Sequence, residues 1–435
     1  MRWKNPFIKE NNYHKTVFFL LALTLVSLAF SVRILNSLSL ILLVMVAIVH
    51  PQRLSFFKKA FSNPYFIFCL LLYFVKVAGL FYTSHPVENW KIISSKGILL
   101  AIPFFFCSYG FLPANILRRL IIYFSLSLLI VSLVSLIYAA INFGQQHDPS
   151  VFFYHKLVKP LKHHAVLFSF YLFFCIVYWI ENGMASLNME KFKTLWLSVV
   201  IYFYFFIFLL SSKLVIIISL LYLVYVIVRA LVTAKARHVF IISSLLIVTS
   251  ISVVVLTNNP IRTRFSDAVS GNLYLFRQDK FSPDIYFNGI QFRLLIWRFT
   301  YEILDERSAW LIGVSAGDAQ YELNRKYAEA NVYLGDGEND KQGYRVFNCH
   351  NVFLQTILES GIIGLVVLLS LIIIILMRAL KKRDSLTIIF YLAILAFCFT
   401  ESVLSSQYTI LLFMFFPLLS LNTKTSVSKA IRGSF

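Results

Sequence analysis

Three polar side chains in or beside the apolar segments of this sequence could bind a phosphate-bearing substrate. Lys213 interrupts an apolar run that extends from Leu195 to Val228. His350 comes directly before another apolar run, and Arg293 lies between the two in the longest polar stretch of the chain. Polar groups at membrane depth are costly, and the first hypothesis for such a group is therefore a functional one.

The chemistry that suits these residue types is group transfer from a lipid diphosphate. Lysine and arginine can bind a diphosphate and stabilise the charge that develops as it leaves. A histidine near an acceptor hydroxyl can serve as general base or orient the acceptor. Because the diphosphate is the leaving group, no nucleotide is needed, and the sequence has neither a Gly-rich phosphate loop nor a Cys/His metal cluster. We expect no cofactor and no metal.

Three more polar residues are candidates for binding a substrate or for pairing with one another. Lys76 and Glu359 both fall in apolar segments, where an ion pair between them is the structural alternative. Arg298 lies five residues after Arg293, so the two project from different sides of a helix, one toward a cavity and one toward solvent.

Plain structural roles remain open for several of these residues. Lys213 could be an anchoring lysine whose ammonium reaches the interface. Arg293 could be a surface arginine. His163 and His164, which precede a further apolar run, could be interfacial or structural histidines.

Composition places the chain in a membrane. Hydrophobic residues make up 59% of the 435 residues and aromatic residues 17%, and the mean hydropathy is +0.76. These values exclude a soluble protein of this length. Four of the five cysteines lie in apolar runs, and only Cys349 sits where an oxidising compartment could reach it, so no disulfide framework is expected.

Apolar runs of spanning length predict an all-α polytopic membrane protein of about twelve transmembrane helices. The predicted spans are 16–32, 34–50, 65–82, 93–110, 120–143, 165–181, 195–210, 214–232, 239–256, 351–377, 386–402 and 407–421. The domains that follow are a membrane domain at 1–256 with helices 1–9, a periplasmic loop at 257–349, a membrane domain at 350–421 with helices 10–12, and a cytoplasmic tail at 422–435.

The net charge of +20 is explained by topology. Basic clusters such as Arg53/Lys58/Lys59 and Arg378/Lys381/Lys382/Arg383 fall on one side of the predicted spans, which is the positive-inside pattern. Both termini are therefore expected in the cytoplasm, and the excess charge attracts anionic membrane lipids. Nucleic acid is not an expected partner. The first apolar run lacks a small-residue cleavage site and is interpreted as a retained span.

The long loop contains two predicted helices. Apolar residues at helical spacing in 291–305 predict an amphipathic helix on the membrane surface. The segment Gly313-Val-Ser-Ala-Gly317 predicts a turn, and 318–331 predicts a second helix.

At His350 the sequence resembles a known family. His350-Asn351, nine residues, Gly361, two residues and Gly364 resemble the H-[NSQ]-x9-G-x-x-G signature of bacterial O-antigen ligases and related lipid-linked glycan polymerases. Twelve spans with a large periplasmic loop between helices 9 and 10 are similar to the layout of that superfamily. Arg293 resembles the family's loop arginine. Ser212-Lys213 stands where members usually carry Ser-Arg, so the planar fork of arginine is replaced by a point charge.

The resemblance implies a metal-independent membrane glycosyltransferase of the GT-C type in the bacterial inner membrane. Its donor would be a glycan on undecaprenyl diphosphate, held by Lys213 and Arg293, and His350 would activate or position the acceptor hydroxyl. The remaining residues assigned to substrate binding are His164, Arg298, Asn351 and Glu359. The two glycines would let a neighbouring helix pack closely and fix the imidazole, and the helix around Arg293 would move as a lid.

Alternatives remain at the level of the acceptor and of the function class. A ligase transfers to the core sugar of lipid A, a polymerase to another lipid-linked repeat, and a protein glycosylating enzyme to Ser or Thr. The signature favours the ligase. Twelve spans also describe transporters of lipid-linked saccharides, but those usually divide into two similar halves, whereas here the loop divides the spans nine to three.

Overall fold

A computed structural model of the protein describes residues 10–110, 112–183, 190–233, scattered positions within 241–252, and residues 260–269, 272–335 and 343–423. These residues form helices and connecting turns, and no β-strand occurs among them. The helices of the bundle before the loop are α1 Glu10–Ala29, α2 Arg33–Val49, α3 Arg53–Phe61, α4 Pro64–Ala78, α5 Pro86–Ser95, α6 Ile98–Tyr109, α7 Ala114–Gln146, α8 Ala165–Tyr178, α9 Glu190–Leu209 and α10 Lys213–Thr233. Those of the loop and the end of the bundle are α11 Pro260–Val269, α12 Gly289–Glu306, α13 Ala319–Glu329, α14 Val352–Lys382, α15 Ser385–Cys398 and α16 Gln407–Leu421.

Seven helices in the described residues are long and apolar enough to cross a membrane, and the number is eight if the bent pair α2–α3 forms one span. Three further apolar helices, at the positions of α1, α15 and α16, are shorter. The all-helical, multi-pass architecture is confirmed, and the count of twelve stays a prediction. The predicted ninth span, 239–256, falls largely outside the described residues.

The outward surface of the bundle is itself apolar. In α14, Leu368, Leu371 and Ile375 are buried at helical spacing, whereas Val366 and Ile373 on the other face are more than half exposed. Isoleucine and valine exposed in this way are unfavourable in water and favourable in lipid. The helix therefore has one face for its neighbours and one for the bilayer.

The loop has a small core of its own, and this corrects one prediction. Helix α12 occurs where the sequence predicted it, and it begins with a capping box between Asn288 and Gln291. Its apolar side chains, including Leu295 and Phe299, are buried against α13 and the neighbouring turns. The apolar face of α12 therefore packs into the loop core and does not lie on a membrane surface. Cys349 is buried in the same core, so an oxidant in solvent does not reach it.

A pair of glycines joins the loop to α14. Gly361 has φ +63° and interrupts the helix, and a Cβ there would lie 2.1 Å from the carbonyl oxygen of Leu311. Gly313 has φ +73°, and a Cβ there would lie 2.4 Å from the backbone nitrogen of Ser360. The backbone that packs against the signature glycine Gly361 is therefore the loop turn at Leu311, and not a neighbouring helix as predicted. Only glycine tolerates both this φ and so close an approach.

Candidate active site

The backbone around His350 forms a sharp turn that ends at the start of α14. His350 has φ +43°, and its N–H donates to Asn348 Oδ1 at 2.9 Å. The side chain of Asn351 accepts hydrogen bonds from the backbone N–H groups of Phe353 and Leu354 and so caps the helix. Asn351, predicted to bind substrate, is buried and engaged in holding this turn.

His350 is hydrogen-bonded to a carboxylate that the sequence analysis did not identify. Its Nδ1 lies 3.0 Å from Oε2 of Glu401, in the connection between α15 and α16. Burial raises the pKa of Glu401, but the hydrogen bond from His350 and the nearby positive charges outweigh it, so that pKa lies below its ordinary value. An ionised carboxylate only accepts hydrogen bonds, so Nδ1 carries the proton and the lone pair is on Nε2. The hydrogen bond fixes the orientation of the imidazole.

Arg293 reaches the same carboxylate from the loop. Its Nη2 lies 3.6 Å from Glu401 Oε1, and its Nη1 donates to the carbonyl of Gly289 at 2.9 Å. The Nε of Arg293 is buried and has no hydrogen-bond partner within the described residues. One turn along α12, the indole of Trp297 donates to the carbonyl of Cys349 at 3.0 Å. This bond fastens α12 to the residue that precedes His350.

Lys213 belongs to a second basic group beside this pair. Lys213 begins α10, and the charges of Arg264 and Arg293 act on its ammonium, opposed by that of Asp267. The guanidinium of Arg264 lies 3.4 Å from the ring centroid of Tyr154, and its buried Nε has no hydrogen-bond partner among the described residues. Lys213, Arg264 and Arg293 thus form a positive region in which a dianionic or trianionic group would be stabilised.

His164 is close enough to Glu401 for the charge of that carboxylate to act on its imidazole. The pKa of His164 is lowered because the surrounding protein partly desolvates the ring, an effect that the charge of Glu401 opposes. The neighbouring His163 donates from Nε2 to the carbonyl of Ala29 at 2.8 Å, and burial lowers its pKa to about 4. His163 is therefore a neutral structural histidine, whereas His164 remains exposed.

His164 and Glu401 line a pocket of about 380 Å³. Its other lining residues are Leu28, Ser31, Arg33, Lys162, His163, Leu167, Tyr171, Asn348, Phe397, Ser402, Ser405, Ser406, Tyr408 and Thr409.

Two predicted substrate-binding residues have structural partners instead. Arg298 uses its guanidinium to hold the loop, bonding to Glu302 at 2.6 Å, Asp279 at 2.7 Å and the carbonyls of Phe276 and Gln278. The buried Glu359 pairs with Lys76, lies 3.6 Å from the Nζ of Lys96 and accepts from Gln355 at 2.8 Å. Neither is among the groups that contact His350, Arg293 or Glu401.

Two residues near the site were missed. Glu401 is an acidic residue at the end of an apolar segment, and nothing in its local sequence connects it with His350. Arg264 lies at the start of the loop, and its sequence position does not indicate that its charge acts on Lys213. No cluster of three or more His, Cys, Asp or Glu that could hold a metal ion occurs within the ranges the structure describes.

Comparison with known proteins places a family on this part of the chain. A search of curated proteins found no match. A family model described as O-Antigen ligase matches residues 197–369. This segment includes Lys213, Arg264, Arg293 and His350, and over it the chain is similar to the O-antigen ligase family, which supports the resemblance to the O-antigen ligase-like superfamily.

Proposed function

We propose that this protein is an inner-membrane glycosyltransferase that moves a glycan from undecaprenyl diphosphate to a hydroxyl of the lipid A core. The family match supports glycosyltransferase activity of the O-antigen ligase or polymerase type. The observation that carries the proposal is the contact of Glu401 with both His350, at 3.0 Å, and Arg293, at 3.6 Å. A base oriented by a carboxylate thereby stands beside a cation suited to a diphosphate.

The chemical step follows from the tautomer of His350. Nε2 accepts the proton of the acceptor hydroxyl while the hydroxyl oxygen forms a bond to the anomeric carbon of the donor glycan. The bond from that carbon to the diphosphate oxygen breaks, and undecaprenyl diphosphate leaves with the electron pair. Glu401 stabilises the imidazolium that results, because it already accepts from Nδ1. A single displacement of this kind inverts the anomeric centre.

The diphosphate is held on the side of Lys213, Arg264 and Arg293. Three cations around one site stabilise the charge on the leaving group, which is greatest in the transition state. Lys213 supplies a point charge and three rotatable donors, whereas the two arginines supply planar forks that suit phosphate oxygens. The buried Nε atoms of Arg264 and Arg293, both without a hydrogen-bond partner among the described residues, gain an acceptor when the diphosphate binds.

Ligation to lipid A core is favoured over polymerisation and protein glycosylation by the His350 signature and by the description of the matched family. Transport is disfavoured because Glu401, His350 and the basic group gather at one end of the bundle, not along a central path.

The test uses His350→Asn in a deletion strain, compared with a matched control. Asparagine tolerates the positive φ of His350 better than alanine does. His147→Asn is the control, because exposed His147 also has a positive φ, +55°, and lies at the end of α7 away from this site. Lipopolysaccharide and the undecaprenyl-linked pool are then analysed on gels.

A ligase is indicated if His350→Asn removes long glycan from lipid A while long lipid-linked chains accumulate, and His147→Asn does neither. If the lipid-linked pool contains only single repeats, the protein is a polymerase. If His350→Asn is present in the membrane at normal amount and both pools match wild type, the proposed function is wrong.

A further inference from the structure

The pocket that Glu401 lines is formed by residues other than those proposed to bind the donor diphosphate. It lies where the turn between α1 and α2, the residues before α8, and the connection between α15 and α16 come together. Arg293, Lys213 and Arg264 are not among its lining residues. We propose that this pocket is a subsite for an acidic sugar, one carrying a carboxylate or a phosphate, of the glycan acceptor. The inference rests on the proposed function and names the acceptor chemistry.

One side of the pocket is rich in hydroxyl groups. Ser402 donates to Asn348 at 3.0 Å, and the same Asn348 oxygen accepts from the backbone of His350. Ser402 is therefore linked to the turn that carries His350. Sugar hydroxyls both donate and accept, and side-chain hydroxyls match that capacity. The hydroxyl-bearing residues of this side are Ser31, Ser402, Ser405, Ser406 and Thr409.

The charged side chains that line the pocket favour an anionic ligand. Arg33 and Lys162 are exposed at its rim, and the guanidinium of Arg33 lies 5.8 Å from the ring centroid of Tyr408, which restricts its position. Glu401 is the one acidic residue in the described lining, and it is already engaged by His350 and Arg293. A carboxylate or phosphate on the ligand would pair with the two rim cations.

The geometry assigns the pocket to the acceptor and not to the donor. Oε1 of Glu401 faces Arg293 and Oε2 faces His350. His164 and Glu401 line the pocket, whereas none of the three donor cations does. A volume of about 380 Å³ is at the low end of small-molecule sites, which are roughly 300–1,000 Å³. It suits a short saccharide. Its apolar floor, formed by Leu28, Leu167 and Phe397, can accept the C–H face of a sugar ring.

Binding is measured on the full-length protein in neutral lipid nanodiscs by saturation-transfer NMR. The probes are glucose, glucuronate, glucose 6-phosphate and inorganic phosphate. We expect glucuronate or glucose 6-phosphate to bind more tightly than both glucose and inorganic phosphate. The double variant Arg33→Gln/Lys162→Gln should weaken that probe about tenfold or more, as expected for the loss of charge-assisted hydrogen bonds. Arg53→Gln/Lys91→Gln removes the same charge outside the pocket and should change nothing.

Three binding results would overturn the subsite. The first is equal binding of glucose and the acidic sugars. The second is inorganic phosphate that binds as well as the sugar phosphate, which indicates an anion site without sugar recognition. The third is acidic-sugar binding that the control double variant weakens as much as the pocket variant does.

Transfer assays separate this inference from the proposed function. With purified donor and lipid A core, the pocket variant should raise the acceptor KM about tenfold with little change in kcat. After the acidic groups of the acceptor are removed, wild type and variant should have the same KM. Wild-type protein that transfers no glycan contradicts the proposed function while the binding result stands. Transfer with an acceptor KM unaffected by the pocket variant contradicts the subsite alone.

Discussion

Nδ1 of His350 lies 3.0 Å from Oε2 of Glu401, although 51 residues separate them in the chain. The bond determines which imidazole nitrogen carries the proton, because the ionised carboxylate can only accept. It also ties the start of α14 to the connection between α15 and α16. The orientation of the His350 imidazole therefore depends on a residue beyond the matched family segment, which ends at residue 369.

The first prediction concerns Glu401→Gln. The glutamine amide can donate a hydrogen bond to Nδ1, and the ring proton then lies on Nε2. Nε2 has no lone pair in that tautomer, so it cannot take the proton of the acceptor hydroxyl. We expect kcat for glycan transfer to fall about 10²-fold or more, the range of general-base contributions, with a small change in donor KM. The measurement is steady-state transfer by the purified variant.

Glu401→Asp and Glu88→Gln serve as controls. Aspartate keeps the charge at a greater distance and should retain part of the activity. Glu88 is a half-buried residue of α5 that contacts neither His350 nor Glu401 in the structure, and its substitution should leave kcat unchanged. Full activity of Glu401→Gln would show that this carboxylate does not set the protonation of His350.

The second prediction concerns Lys213 and Arg264. If Arg264 provides the planar fork that Lys213 lacks, Arg264→Lys should raise the donor KM about tenfold, whereas Lys213→Arg should be neutral or improve binding. In the double variant Lys213→Arg/Arg264→Lys the fork has moved to position 213, and the donor KM should return toward wild type. Donor KM values for the four proteins give the interaction energy. Additive effects in the double variant would mean that the two side chains act independently.

The third prediction concerns the backbone contact at Gly361. Alanine at φ +63° is strained, and its Cβ would collide with the carbonyl of Leu311. We expect Gly361→Ala to reduce the amount of folded protein recovered from membranes severalfold. Gly144→Ala is the control, because Gly144 lies near the end of α7 with open space where a Cβ would be. Fluorescence-detected size exclusion of both variants makes the comparison. Equal recovery of the two would contradict the proposed role of the contact.

Local pattern predicted much of this fold. Two helices of the loop, α12 and α13, and most of the membrane helices were predicted from the sequence, whereas α11 was not. The spacing of His350, Gly361 and Gly364 resembles the family signature. The break at Gly361 was not predictable, because the apolar run continues through it and only the approach of the Leu311 turn makes it necessary. Glu401 and Arg264 were missed for a similar reason. Each depends on tertiary contacts between elements that are far apart in the sequence, and a local sequence pattern does not predict such contacts.

The fourth prediction concerns the buried charges around Glu359. This carboxylate pairs with Lys76 and lies 3.6 Å from the Nζ of Lys96, and all three side chains are buried. Two ammonium groups thus share one carboxylate. Removing one partner of a buried pair leaves an uncompensated charge and costs about 3–5 kcal/mol. Glu359→Gln should therefore greatly lower the thermal stability of the detergent-solubilised protein.

Lys96→Met is the matched variant for this cluster. It leaves one lysine and one carboxylate, so the remaining charges balance, and its melting temperature should stay close to that of wild type. Glycan transfer by the folded fraction separates structure from binding. If Glu359 is structural, the folded Glu359→Gln protein keeps its donor and acceptor KM values. A raised KM with unchanged stability would restore Glu359 to the substrate site, since only direct contact with a ligand explains that combination.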